Sequence, residues 1–296
     1  MPTLLDFRRR IRSVKNSQQI TRAMKFVAAA RLRRAQEAAL AARPYAQELA
    51  RVLRSTMARI QEPQHPLLER REEKSVLAIV LTGERGLAGA FNTNILKKAN
   101  EFFRAKRDKK VVTIAVGKKG RDALKKAGFT FAGEWVNVLA RVEFKTAGEI
   151  AKLATDLYAE KKVDSVYIIF SEFKSVMTAN LTIERLLPVE AIREEKGGNE
   201  EKESGKNADV QVDYIYEQPE AQLLDKLLPR YVETQILRAM LESSASEYAA
   251  RMTAMESATR NAGDVIEALT LYMNKVRQAA ITKEIIEIVS GAAYGA

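Results

Sequence analysis

The chain holds few residues able to converge on a reacting group. His65 is the only histidine and sits between Pro63 and Pro66, in a surface turn by sequence. A catalytic triad, a histidine-bearing metal site or a histidine proton relay would each have to use that single side chain. Cysteine is absent, which excludes disulfides, thiolate catalysis and cysteine-ligated metals, and fits a reducing compartment. The glycine cluster Gly83-Glu84-Arg85-Gly86-Leu87-Ala88-Gly89 follows an apolar run and precedes a helical pattern, where phosphate loops sit. It matches neither G-x-G-x-x-G nor G-x-x-x-x-G-K-[ST], because Ala90 follows Gly89. Gly117-Lys118-Lys119-Gly120 offers a second turn with the same weakness. Both read as tight strand-to-helix connections, and the solitary Trp135 reads as a packing residue. These residues argue against catalysis and against a cofactor or metal of the chain's own.

The surrounding elements alternate. Val76 to Leu81 is a short apolar run, β-branched at three of six positions and bounded by Gly83, as in a buried strand. Helical patterns follow at Asn92–Lys106, Arg121–Ala127 and Thr146–Glu160, with further strands at Val111–Val116, Val166–Phe170 and Met177–Leu187. Such alternation predicts a parallel or mixed sheet in an α/β domain. Glu194–Asp209, rich in Glu, Lys, Gly and Asn, reads as a solvated, mobile loop, and Asp213-Tyr214-Ile215-Tyr216-Glu217 as a return to order.

Helices flank this domain. Thr3 to about Arg59 reads as one helix whose apolar stripe starts at Phe7, Ile11 and Val14, then shifts phase to Ile20, Met24 and Val27. Pro44 predicts a kink, and the prolines at 63 and 66 a boundary. After Pro229 no proline occurs. Leu241, Ala245, Tyr248, Met252, Met255, Thr259, Ala262, Ile266, Leu269, Met273, Val276 and Ala280 keep the three-then-four spacing of a coiled-coil seam. Forty such residues make a rod of roughly 60 Å. Two long one-faced helices at opposite ends satisfy each other most simply as an antiparallel pair. The expected architecture is therefore an α/β fold: an antiparallel coiled coil of terminal helices (residues 1–60 and 213–296) around a central Rossmann-like domain (75–212). The last residues, Ile281 to Ala293, grow more apolar where termini usually fray into polar ones, which suggests burial in a partner.

Charge points the same way. Lys and Arg number 49 against 38 Asp and Glu, a net +11, and the segment from Met1 to Gln36 alone carries ten cations and one acid, Asp6. A basic stripe wants an anionic counterpart. A basic coiled-coil protein that binds nucleic acid is the rival reading, and it requires a steep salt dependence. No stretch of about 18 uncharged apolar residues predicts a membrane span, and the start lacks the apolar core of a secretory signal.

Three motifs, in order, resemble the gamma subunit of bacterial F-type ATP synthase. They are Arg10 to Ala29 in the first helix, Glu84 to Asn92 at the central turn, and Ile281 to Ala292 at the end. The resemblance covers nearly the whole length. It implies a non-catalytic rotor shaft transmitting torque between a proton-driven c-ring and catalytic beta subunits. Alpha, beta, delta and epsilon subunits and the c-ring would be its partners, with no nucleic acid and no substrate of its own. Its place would be peripheral, on the cytoplasmic face of the bacterial inner membrane. By motif, Arg277, Gln278, Thr282 and Glu284, with Arg251 coupled to them, would meet the beta-subunit catch. Met24 and Lys25 would lie near the acidic beta lever, and Tyr214, Tyr216 and Glu217 would form the foot on the c-ring and epsilon. Glu84 and Ala88 stand where many relatives carry Asp and Cys, and the thiol-bearing insertion of chloroplast relatives is missing.

Overall fold

A computed structural model describes residues 3–59, 65–176, 178–189 and 220–294. In chain order the elements are α1 (Leu4–Arg59), a 3-10 turn (Pro66–Leu68), β1 (Ser75–Leu81), α2 (Phe91–Ala105), β2 (Lys110–Val116), α3 (Lys118–Lys126), β3 (Thr130–Trp135), α4 (Phe144–Ala159), β4 (Ser165–Phe173), β5 (Ala179–Leu187) and α5 (Glu220–Tyr294). Helix α1 runs through Pro44 and α5 through Pro229. The chain divides into two compact units: Arg31–Ala250, and the terminal stretches up to Ala30 and from Arg251.

The larger unit is built on a five-stranded sheet of order β3-β2-β1-β4-β5. Its first four strands are parallel, and β5 returns antiparallel beside β4. Side chains alternate across a strand, so β1 feeds two cores. Leu77, Ile79 and Leu81 pack with Ile114, Ile168 and Phe170 against Ile150, Ala154 and Tyr158 of α4, Leu49 and Leu53 of α1, and Leu228, Val232 and Ile236 of α5. Val76, Ala78 and Val80 face the other way, onto Phe91, Ile95, Ala99 and Phe103 of α2 and Leu124 of α3. From Val76 to Leu81 β1 is apolar at every position because it is covered on both faces. The strand β3 was not foreseen: Thr130-Phe-Ala-Gly-Glu-Trp has no apolar run, being a half-buried edge strand. Helix α3 begins at Lys118, three residues before the sequence pattern suggests, because Gly117 has φ 98° and turns the chain directly into it.

In the smaller unit α1 and α5 pair antiparallel, since partners that rise along α1 fall along α5. The Phe7 ring lies 5.1 Å from that of Tyr272, Gln18 Nε2 donates to the Thr259 carbonyl at 3.2 Å, and Lys25 Nζ bonds Glu256 Oε1 at 2.9 Å. All twelve seam positions from Leu241 to Ala280 are buried or half-buried.

The expected phase shift in α1 is corrected. Its inward positions continue without a slip as Phe7, Ile11, Val14, Gln18, Thr21, Lys25, Ala28, Leu32, Ala35, Ala39 and Ala42, while Ile20 and Val27 stay 60% and 54% exposed. Polar residues hold the seam here because each finds a partner: the Thr21 and Thr259 hydroxyls share a hydrogen bond of 2.8 Å. The seam therefore persists through residues a hydrophobicity pattern cannot count.

Candidate functional site

In an open parallel sheet, ligands bind beyond the carboxyl ends of the strands, where the strand order reverses. Here that crevice opens between β1 and β4, and α5 fills it. From Ala239 to Ala249 every residue of α5 is buried, so three turns of helix are enclosed on all faces. The enclosed stretch carries Glu242, Ser243, Ser244, Ser246 and Glu247. Small hydroxyls allow close approach and anchor it. Ser246 and Ser171, at the end of β4, share a hydrogen bond of 2.7 Å, and Ser244 Oγ donates to the Leu139 carbonyl at 3.0 Å. The Arg31 guanidinium of α1 lies 5.8 Å from the centre of the Tyr248 ring.

The glycine turn after β1 is shaped by the same helix. A Cβ at Gly83 would lie 2.9 Å from the Glu247 carboxyl carbon, so a larger residue there would push the Glu247 side chain aside. The Gly83 N–H donates to Asn92 Oδ1 at 2.8 Å. Glu84 then spans to the neighbouring turns: its two carboxylate oxygens accept the Lys118 N–H at 3.0 Å and the Val138 N–H at 3.2 Å. An anion at a helix N-terminus is favourable, and at α3 the chain supplies its own. Both glycine turns are engaged by contacts within the chain, the second through the Gly120 N–H, which donates to Thr82 Oγ1 at 2.7 Å. At the tip of the first, Leu87 is 64% exposed at φ 62°, a conformation bulky residues rarely hold.

Two carboxylates are pushed in opposite directions. Burial raises the Glu242 pKa; Arg238 opposes this, Glu172 and Glu184 add to it, and Arg43 again opposes. One Glu242 oxygen lies 4.0 Å from Arg238 Nη1, while the other is buried without a hydrogen-bond partner. Glu73 suffers desolvation too, but bonds from Lys106, Lys109, Ser165 and Tyr167 hold it down at about 2.

The remaining sequence-predicted residues lie on the terminal helices. Arg277, Gln278, Thr282 and Glu284 are all exposed, and the Thr282 hydroxyl donates back to the Gln278 carbonyl at 2.9 Å. Arg251 and Met24 are half-buried, and Lys25 is engaged by Glu256 within the chain. Tyr214, Tyr216 and Glu217, with the loop at 194–209, lie outside the described residues. Beyond the seam, every residue from Ile281 to Ser290 is exposed, with Ile288 at 71% and Val289 at 63%. His65 caps the 3-10 turn, its Nδ1 accepting the Leu67 N–H at 3.1 Å.

A sequence model of the ATP synthase family matches residues 3–293. The ATP synthase gamma chain of Solibacter usitatus is 49% identical over 297 residues, covering 99% of each chain. That of Desulforamulus reducens is 47% identical over 293 residues, with the same coverage. The chain belongs to the ATP synthase gamma-chain family. Gamma chains are non-catalytic subunits of the synthase, the catalytic sites lying in its beta subunits. In this chain the crevice of the sheet is filled by α5 and the N-terminus of α3 is capped from within. The fold agrees: a chain of the mitochondrial ATP synthase OSCP/F1/c-ring structure from Euglena gracilis superposes with a TM-score of 0.67 at 21% identity, covering 98% of this chain and 93% of that one. The central stalk and c-ring structure from Tetrahymena thermophila gives 0.60 at 24% identity, covering 81% and 99%. Sequence reasoning missed Leu87 and the serine-rich stretch of α5. The first had a signal in a leucine set within a glycine-rich turn, after Gly86 and two residues before Gly89, and the second in serines interrupting an apolar helix.

Proposed function

We propose that the chain is the central rotor shaft of a bacterial F-type ATP synthase, transmitting torque between a proton-driven c-ring and the catalytic beta subunits. The observation that carries this reading is the double character of α5. One stretch is gripped on all sides by the α/β unit, and another presents an uncovered apolar end. A helix gripped in one place and uncovered in another can pass rotation from a foot to a bearing. Its partners are the alpha, beta, delta and epsilon subunits and the c-ring. Its place is peripheral, at the cytoplasmic face of the inner membrane; no helix among the described residues is long and apolar enough to cross one.

Within this reading, Arg277, Gln278, Thr282 and Glu284 meet the beta-subunit catch, with Arg251 coupled to them. Met24 and Lys25 lie near the beta lever, and Tyr214, Tyr216 and Glu217 form the foot. The exposed Ile20, Phe26 and Val27 of α1 add apolar surface beside the lever residues. Asymmetry of the shaft would favour a different beta conformation at each angle, which couples rotation to nucleotide affinity. The test is reassembly with alpha and beta subunits followed by coupled ATP turnover. Arg277→Glu is expected to damage turnover strongly, and truncation after Ser290 only modestly. Equal tolerance of both defeats the catch assignment. Recovery of nucleic acid without alpha and beta subunits from a moderate-salt pull-down defeats the shaft itself.

A further inference from the structure

The edge of the sheet opposite the glycine turn is strongly basic. Between Lys97 and Lys110 the sequence has seven Lys or Arg residues against Glu101 and Asp108. The end of α2, the start of β2 and the start of β3 form an open concavity of about 530 Å³ there. Arg104, Lys106, Arg107 and Lys109 line it, with the Asn100 amide. Its floor is apolar: Val111 with Phe103 and Phe129, whose ring centres are 4.4 Å apart.

The charges are not cancelled from within. Lys106 and Lys109 share one carboxylate, that of Glu73, leaving a surplus positive charge. Arg104 and Arg107 are exposed and form no ion pair among the described residues. The two lysines have a structural role on Glu73, and Lys106 also lies 5.4 Å from the centre of the Tyr167 ring; the two arginines have no such contact among the described residues. A cationic rim over an apolar floor is chemically matched to an anionic amphiphile: the rim takes a phosphate, and the floor takes the first carbons attached to it. The volume lies in the range of small-ligand sites.

We infer that this concavity binds the headgroup of an anionic phospholipid through Arg104 and Arg107, with Lys106 and Lys109 completing the rim. The choice of a lipid over a soluble phosphate ester rests on the peripheral-membrane reading above; the site itself does not. Basic side chains near an anionic lipid surface each strengthen attachment several-fold, so the pair should matter together by about tenfold or more.

The test is calorimetric titration of the full chain with dihexanoyl phosphatidylglycerol below its micellar concentration. The wild-type chain should bind one equivalent, Arg104→Glu/Arg107→Glu should weaken binding at least about tenfold, and neutral dihexanoyl phosphatidylcholine should not bind. Arg9→Glu/Arg12→Glu on α1, equally basic but without the concavity, should leave the affinity unchanged. Arg104→Gln/Arg107→Gln, with an unaltered unfolding temperature, separates loss of the site from loss of fold. Absence of binding by the wild-type chain overturns the inference, as does equal loss in both reversals. Inorganic phosphate binding as tightly as the lipid overturns the lipid assignment. Each arm reads the isolated chain, so it stands or falls apart from reassembly with alpha and beta subunits.

Discussion

One helix lives under two regimes. Ala239–Ala249 of α5 is enclosed on every face, although five of its residues are serines or glutamates. Ile281–Ser290 is exposed on every face, although half of it is isoleucine or valine. Polarity would assign them the other way round. Burial in the first stretch is enforced by hydroxyls small enough to fit the crevice and matched there by Ser171 and the Leu139 carbonyl. The second lies beyond Tyr272, which pairs with Phe7 in the first turn of α1, and no described residue of the chain covers it. The enclosed stretch is held by packing and the free one, in the proposed reading, serves recognition, and substitutions should separate them.

The largest effect is expected in the enclosed stretch. Ser246→Leu adds bulk where exposure is 2% and leaves the Ser171 hydroxyl unpartnered. The isolated chain should lose about 3 kcal/mol, seen as a lower denaturant midpoint. An unchanged midpoint would mean the crevice is not tightly filled.

Next comes pH, where the two perturbed carboxylates should diverge. Glu73 is held down at about 2, so its stabilising bonds are complete above the ordinary carboxylate range and are lost as pH falls toward 2. Glu73→Gln should therefore destabilise at neutral pH and lose its effect in acid. Glu242 is raised by burial. Its contribution is fully present below the ordinary range and fades as pH rises through the elevated value, so Glu242→Gln should gain on the wild-type chain as pH rises. Thermal unfolding across pH checks both; parallel curves for the two variants would contradict the opposed shifts.

Leu87→Gly relieves a positive φ and should stabilise the isolated chain by about 1 kcal/mol. If Leu87 is kept for a partner, assembly with alpha and beta subunits should weaken at the same time. A gain in both would make the leucine incidental. The smallest effect belongs to the free end. Ile288→Ala should shift the unfolding free energy by less than about 0.5 kcal/mol while still weakening assembly, and a large stability loss would show that α5 has a partner there within the chain.

Much of this was legible from residues alone. The seam of α5 could be read position by position, because apolar residues at a 3.5-residue period admit one buried face. The strands β1, β2 and β4 were plain, being runs covered on both sides, and the poverty of His and Cys already argued against catalysis. The edge strand β3 was not legible, since Gly133 and Glu134 interrupt any pattern; a Cβ at Gly133 would press into the Trp135 ring, 2.7 Å away. The course of α1 was misread where Gln18, Thr21 and Lys25 occupy the seam.

Sequence by itself determined the periodic elements, their order and the basic, cysteine-free character of the chain, because those follow from local spacing and composition. Tertiary structure decided which polar residues are interior and what fills the crevice of the sheet. Burying a polar side chain costs least when a partner from elsewhere in the chain meets its hydrogen bonds. That partner, Thr259 for Gln18 or Ser171 for Ser246, is fixed by the fold and by nothing in the neighbouring sequence.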